Sequence, residues 1–150
     1  MDVKNLTASC GLPCFACALY KDNITDEVVN QTATGLGMDV KNVSCEGCRS
    51  EQGCSISSVM CSMVGETECL TKKCVTDKGL HNCSECEEFP CDYLRPVFDM
   101  ASLPHNTKIF NLSRIKAVGL EEWAKEAGSI QQSYFKGKFA YGKGSIVEKE

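Results

Sequence analysis

The sequence predicts a small, mostly α, irregular fold in which short helices are connected by cysteine knuckles. Three observations predict it. Twelve cysteines occur in 150 residues, most of them in tight clusters. The rest of the apolar content is lean, with one Trp and six Phe, so something besides apolar burial has to contribute stability. The remaining apolar residues recur at helical spacing in short runs, with no alternation of strands and helices.

The elements follow in order. Cys10-Gly-Leu-Pro-Cys14-Phe-Ala-Cys17 is a loop shaped by Gly11 and Pro13, running into a short helical start at residues 16–21. Thr25 or Asp26 caps the next helix, with Val29, Ala33 and Leu36 on one stripe and Gly35 and Gly37 near its end. Cys45-Glu-Gly-Cys48 is a knuckle in which Gly47 permits the tight turn. Ile56, Val59, Met60, Met63 and Val64 fall at i, i+3, i+4, i+7 and i+8, which predicts a helix over 55–64 with Ser55 as cap and Gly65 as stop. A shorter helix over 69–78 ends at Gly79, with Leu70 and Cys74 on one face.

The cysteines stop at Cys91. Tyr93, Leu94, Val97, Phe98 and Met100 suggest an apolar helix, in which Pro96 belongs to the first turn or marks a kink. Asn111 is expected to cap a helix carrying Leu112, Ile115 and Val118. Gly119 breaks it, and Leu120, Trp123, Ala124 and Ala127 continue on a second helix up to Gly128. The organisation read from this is a cysteine-rich metal-binding domain over 1–100, a helical extension over 101–128 packed on it, and a hairpin or flexible tail over 129–150.

The chemistry lies in the pairs. Cys14/Cys17, Cys45/Cys48 and Cys83/Cys86 each have two intervening residues, a spacing at which a tight turn lets two thiolates grip one ion. The first ten residues have no apolar core of a signal peptide, so a cytoplasmic chain with reduced thiols is expected, and its cysteines read as ligands. Structural zinc takes four such ligands, and each site contributes on the order of 10–16 kcal/mol to folding, enough to offset a lean core. Ligands are expected to pair between clusters, with Cys14/Cys17 and Cys45/Cys48 each completed by residues from 69–91.

Other readings compete. Cys10-x3-Cys14-x2-Cys17 has the three-cysteine spacing of radical S-adenosylmethionine enzymes, but such enzymes need a large barrel, and Ala16 stands where their motif usually has an aromatic residue. A simpler iron–sulfur carrier or redox protein using Cys10, Cys14 and Cys17 is the main alternative to zinc, although the ferredoxin run is absent. Dithiol redox chemistry would want a strand before the pair, and none is read. Cys61 reads equally as a buried thiol or a ligand, and Cys54 is ambiguous. His81 and His105 read as surface or capping residues, and Trp123 as core. The net charge of −4 gives no reason to expect a nucleic-acid partner, and no run is long and apolar enough for a membrane. The tail from Tyr134 to Lys143 interleaves lysine with aromatics but is short and ends in Glu148 and Glu150.

Taken in order, Cys10-Gly-Leu-x-Cys14-x2-Cys17-x2-Tyr20, Cys45-x-Gly-Cys48, Cys69-x4-Cys74 and Asn82-Cys83-x2-Cys86-x2-Phe89-Pro90-Cys91 resemble a family of small cysteine-rich bacterial and archaeal proteins, a domain of unknown function suspected of binding zinc. The stretch Asn111-Leu-x-Arg-Ile-Lys-x-Val-Gly-Leu-Glu-Glu-Trp123 is similar to the tail of many members. The resemblance spans 8–127. It implies ten ligand positions: Cys10, Cys14, Cys17, Cys45, Cys48, Cys69, Cys74, Cys83, Cys86 and Cys91. The segment with Cys54 and Cys61 departs from it, because typical members link the second and third motifs more briefly.

The expectation is therefore two or three zinc ions in four-cysteine sites, serving a binding or interaction module whose partner, a protein among other classes, the sequence leaves unnamed. It leans away from an enzyme. No general base, acid pair or phosphate loop stands out, and closed four-thiolate zinc has no position for water.

Overall fold

Short helices and single turns succeed one another along the chain, broken where glycines allow the backbone to reverse. The structure, a computed structural model, describes residues 1–63, 65–94, 107–140 and 144–146. Helix α1 spans Asp26–Leu36. The Thr25 hydroxyl accepts from the Val28 amide at 3.4 Å, Asp26 and Glu27 sit at the positive end of the helix, and Gly37 closes it at φ 64°. Helix α2 spans Ser55–Met63 and α3 spans Leu70–Asp77. Single 3-10 turns lie at Cys14–Ala16, Val40–Asn42, Cys83–Glu85 and Asp92–Leu94. Helices α4, Thr107–Val118, and α5, Leu120–Lys136, meet at Gly119. A two-stranded antiparallel hairpin follows, β1 Lys138–Ala140 with β2 Gly144–Ile146, Lys138 opposite Ile146.

Two expectations change. Asn111 does not cap α4: the helix starts one turn earlier at Thr107, and Asn111 is fully buried in its interior. Its Oδ1 accepts the indole N–H of Trp123 at 3.3 Å, a tertiary use of a side chain that sequence alone assigns to a cap. Gly128 does not stop α5, which runs on to Lys136 because the apolar stripe continues to Ile130 in the core. On α3 the buried face carries Thr71 and Val75, whereas Leu70 is exposed. The expected helix over Val97, Phe98 and Met100, Val64 at the end of α2 and His105 lie outside the described residues.

Two small apolar clusters form the core. Val75, Cys83, Leu94 and Leu112 make the first, with Cys10, Leu80, Phe89 and Ile109 against it. Ile115, Trp123 and Ala127 make the second, with Phe15, Leu120, Ala124 and Ile130. Helix α4 gives Leu112 to one and Ile115 to the other, so it joins the cysteine segment to α5. Phe15 meets Trp123 edge-on at 6.1 Å between ring centroids, a favoured aromatic geometry. Arg114 and Glu126 pair across α4 and α5 at 2.7 Å.

A close approach of backbone to side chain lies at Gly11, with φ +80°. A Cβ built there would stand 2.7 Å from Leu112 Cγ. Glycine is required on both counts, by the left-handed backbone and by the space.

Candidate metal centre

The loop around the first cysteines is tied back on itself. Ala8 N–H donates to Leu12 O at 3.0 Å and Cys14 N–H to Leu6 O at 2.8 Å. Tyr20 and Cys45 form a parallel bridge, with Cys45 N–H on Leu19 O at 2.9 Å and Lys21 N–H on Cys45 O at 2.9 Å. This lays the second knuckle beside the first. Cys83 N–H donates to Ser9 O at 3.0 Å, which brings in the third. Arg49 links all three: its Nε donates to Thr7 O at 2.9 Å and its guanidinium also donates to His81 O.

The twelve cysteines are all free thiols, and the chain gathers eleven of them into three groups. Cys10, Cys14, Cys48 and Cys69 form the first: the charges of Cys48 and Cys10 bear on Cys14, and those of Cys10 and Cys69 on Cys48; the groups adjoin, since Cys45 also bears on Cys14 and Cys10 on Cys83. Cys74, Cys83, Cys86 and Cys91 form the second and line one cavity of about 390 Å³, together with Lys78, Phe89 and Leu94. Cys17, Cys45 and Cys54 form the third, Cys45 being the neighbour of both others. Cys61 stands apart on α2, its sulfur 3.8 Å from Ser57 Oγ. As they stand, no three His, Cys, Asp or Glu side chains among the described residues are placed to hold a metal ion.

The surroundings of the sulfurs bear on whether a metal would fit. Burial pushes the thiols of Cys10, Cys17 and Cys48 up, Cys14 up to about 11 and Cys83 up to about 12, since a lone thiolate is poorly solvated there. Backbone amides oppose this. Cys48 N–H points at Cys14 Sγ at 3.4 Å and Gly47 N–H at Cys45 Sγ at 3.3 Å. The amide of Ser9 acts on Cys48, and those of Leu19 and Tyr20 on Cys17. Such amides favour the thiolate, the form that binds metal. Buried sulfurs that resist charging alone, most of them met by backbone donors, form a donor set suited to a cation. The groups fit a thiophilic metal in chemistry, and the side chains would have to close on it.

Cys45 and Cys54 behave as a pair. A hydrogen bond from Cys54 holds the Cys45 thiol down, at about 5, while the same contact and burial drive Cys54 up, so the pair carries one negative charge rather than two. Lys78 Nζ lies 3.6 Å from Cys86 Sγ and 2.8 Å from Glu88 Oε2.

The sequence missed two participants. Arg49 is invisible as a tie, because a basic residue after a knuckle is ordinary and its acceptors are carbonyls 42 and 32 positions away. Cys54 was ambiguous, and its place beside Cys45 depends on the turn at Gly53. His81 is half-buried rather than a surface residue: its amide donates to Glu85 Oε2 at 2.9 Å, and its Nε2 is buried without a partner.

The fold and the thiol groups define a small, mainly helical, cysteine-rich domain. The family model described as a protein of unknown function, DUF3795, matches residues 6–96. The chain belongs to that family. No curated protein and no solved structure matches it. No described helix is long and apolar enough to cross a membrane.

Proposed function

We propose that this protein is a zinc-binding module in which two four-cysteine groups, Cys10/Cys14/Cys48/Cys69 and Cys74/Cys83/Cys86/Cys91, hold structural metal. The observation that carries the reading is the grouping itself: in the first group four thiols from three separate stretches of chain, in the second four within residues 74–91, several met by backbone amides. Four sulfurs are what tetrahedral zinc takes, and zinc so held is closed to water. It supplies cross-linking rather than chemistry, so the function falls to the surface it stiffens, as a binding or interaction module acting in the cytoplasm. An iron–sulfur cluster is the second reading, because the same thiolates suit iron and the cavity beside Cys86, at about 390 Å³, exceeds the need of one ion.

Elemental analysis with a visible spectrum on anaerobically purified full-length protein tests this. Two or three zinc per chain without visible absorbance is the expected result. Iron with inorganic sulfide and a broad visible band would replace zinc by the cluster, and absence of both metals would overturn the proposal. Cys86→Ser is expected to lose one equivalent and to melt early. Unchanged metal content and melting in that variant would remove the second group from the reading.

A further inference from the structure

The path of the chain brings together two sulfurs that the four-cysteine groups do not use. Residues 43–45 and 53–55 lie against each other in antiparallel register. Ser55 Oγ donates to Val43 O at 2.8 Å, and Cys45 Sγ lies 3.8 Å from Gly53 O. The turn between the two segments is closed by Ser50 N–H on Gly47 O at 3.2 Å and Gly53 N–H on Ser50 O at 3.0 Å. Gly53 has φ +70°, a backbone that glycine adopts freely. Cys54 follows the residue whose carbonyl touches Cys45, and the two thiols hydrogen-bond to each other. Both are free.

Their surroundings differ. Cys45 is buried, with 8% of its surface exposed, and the Gly47 amide points at its sulfur at 3.3 Å. An amide so placed stabilises negative charge on sulfur. Cys54 is half-buried and lines an open cleft of about 410 Å³ between α2 and α3, whose polar walls include Gln52, Ser57, Ser58 and Thr76. One sulfur is equipped to attack, and the other to follow from the side that the cleft opens to solvent.

We infer that Cys45 and Cys54 are a redox-active dithiol that hydrogen peroxide oxidises to a disulfide. The burial of Cys45 selects a small oxidant, because a bulky disulfide co-substrate cannot reach its sulfur. The Cys45 sulfur attacks one peroxide oxygen, the O–O bond breaks, and a sulfenic acid forms while the other oxygen leaves as water with the thiol proton. The Cys54 sulfur then attacks the Cys45 sulfur. The S–S bond forms, the S–O bond breaks, and the oxygen leaves as a second water with the Cys54 proton. The two thiols are oxidised, and the peroxide is reduced to water. The inference is independent of the zinc reading, which leaves both sulfurs unassigned. Cys61, apart from the other cysteines on the same helix, is the internal control.

Full-length protein, purified under reducing conditions, desalted and treated with one equivalent of hydrogen peroxide, provides the test. Remaining thiols are alkylated, metal is counted, and tandem mass spectrometry of tryptic fragments locates the cross-link. The native chain and Cys61→Ser are expected to join Cys45 to Cys54 with metal content unchanged. Cys54→Ser is expected to lose the cross-link and to leave Cys45 as a sulfenic acid that dimedone traps. Cys45→Ser is expected to lose it too, with Cys54 then oxidised no faster than Cys61. If the native chain leaves Cys45 and Cys54 unoxidised, or links other cysteines first with loss of metal, the inference is overturned while the two four-cysteine groups stand. If the chain holds no metal yet forms the Cys45–Cys54 link, the zinc reading falls and this one stands. If Cys54→Ser yields no trapped sulfenic acid at Cys45, the order of attack is wrong and the inference fails. Because Cys45 is buried and Cys54 is not, Cys54→Ser decides the matter should Cys45→Ser not fold.

Discussion

The chain up to Leu94 and the α4–α5 pair are held together by different means. In α4–α5 the work falls to apolar packing, with Leu112, Trp123 and Ala127 fully buried and one ion pair across the helices. In the cysteine segment the largest fully buried side chains are Val43, Asn82, Thr7 and Pro13, and in α2 Ile56, Val59 and Met60 are half-buried rather than fully buried. There a smaller core of Val75, Cys83 and Leu94 is supplemented by backbone hydrogen bonds, Arg49 and grouped thiols. On the proposed metal-binding reading, two regions of one small protein depend on different variables: the helical pair on packing volume, and the cysteine segment on proton and metal activity.

Metal removal should separate them most sharply. On the reading above, each structural zinc contributes on the order of 10–16 kcal/mol, so a chelator is expected to raise amide exchange throughout 1–94 well before α5 responds. Equal loss in both regions would break the comparison. The direction with pH sharpens it. In metal-free protein, Cys14 and Cys83 keep their protons to about 11 and about 12, above the unfolded chain, so stability present below pH ~9 is expected to fall as pH rises from there toward those values. In metal-loaded protein the thiolates are already bare, so protonation competes with metal and stability falls with acid instead. Melting temperatures across pH with and without Zn²⁺ check this; the same direction in both would contradict metal binding by these groups.

Packing changes come next. Trp123→Ala is expected to cost about 3–5 kcal/mol by denaturant titration while leaving zinc content unchanged. Gly11→Ala combines a positive φ with a 2.7 Å approach to Leu112, each costing about 1–3 kcal/mol, and is expected to weaken both regions together. Arg49→Ala strips donors from the carbonyls of Thr7 and His81, costing about 1–3 kcal/mol. Its loss is expected in the cysteine segment, read as faster exchange near Ser9 and Cys83.

Much of the local structure was legible. Helices α1, α2 and α3 follow from glycines, apolar spacing and, for α1, the Thr25 cap, which are local signals, whereas Ser55, expected to cap α2, instead donates to Val43 O. The knuckles follow from pairs of cysteines around flexible turns. What escaped was non-local. Asn111 reads as a cap because nothing in its neighbourhood announces Trp123, twelve positions on. Gly128 reads as a stop because its cost in a helix is visible, while the packing of Ile130 beyond it is not. The expected pairing kept Cys14 with Cys17 and Cys45 with Cys48, whereas Cys48 bears on Cys14 and Cys45 on Cys17; that regrouping, like that of Cys48 with Cys69 or Cys54 with Cys45, is decided by turns and bridges that no spacing encodes.

The contact between Gly11 and Leu112 has a consequence for where this protein can be divided. The family match ends at 96, whereas the residue shaping the first cysteine loop lies beyond that limit. A chain cut at the family boundary would keep every cysteine and lose the wall against which Gly11, Val75 and Cys83 rest. The unit of inheritance and the unit of folding therefore have different edges here, and relatives without an equivalent of α4 need another hydrophobic surface in its place.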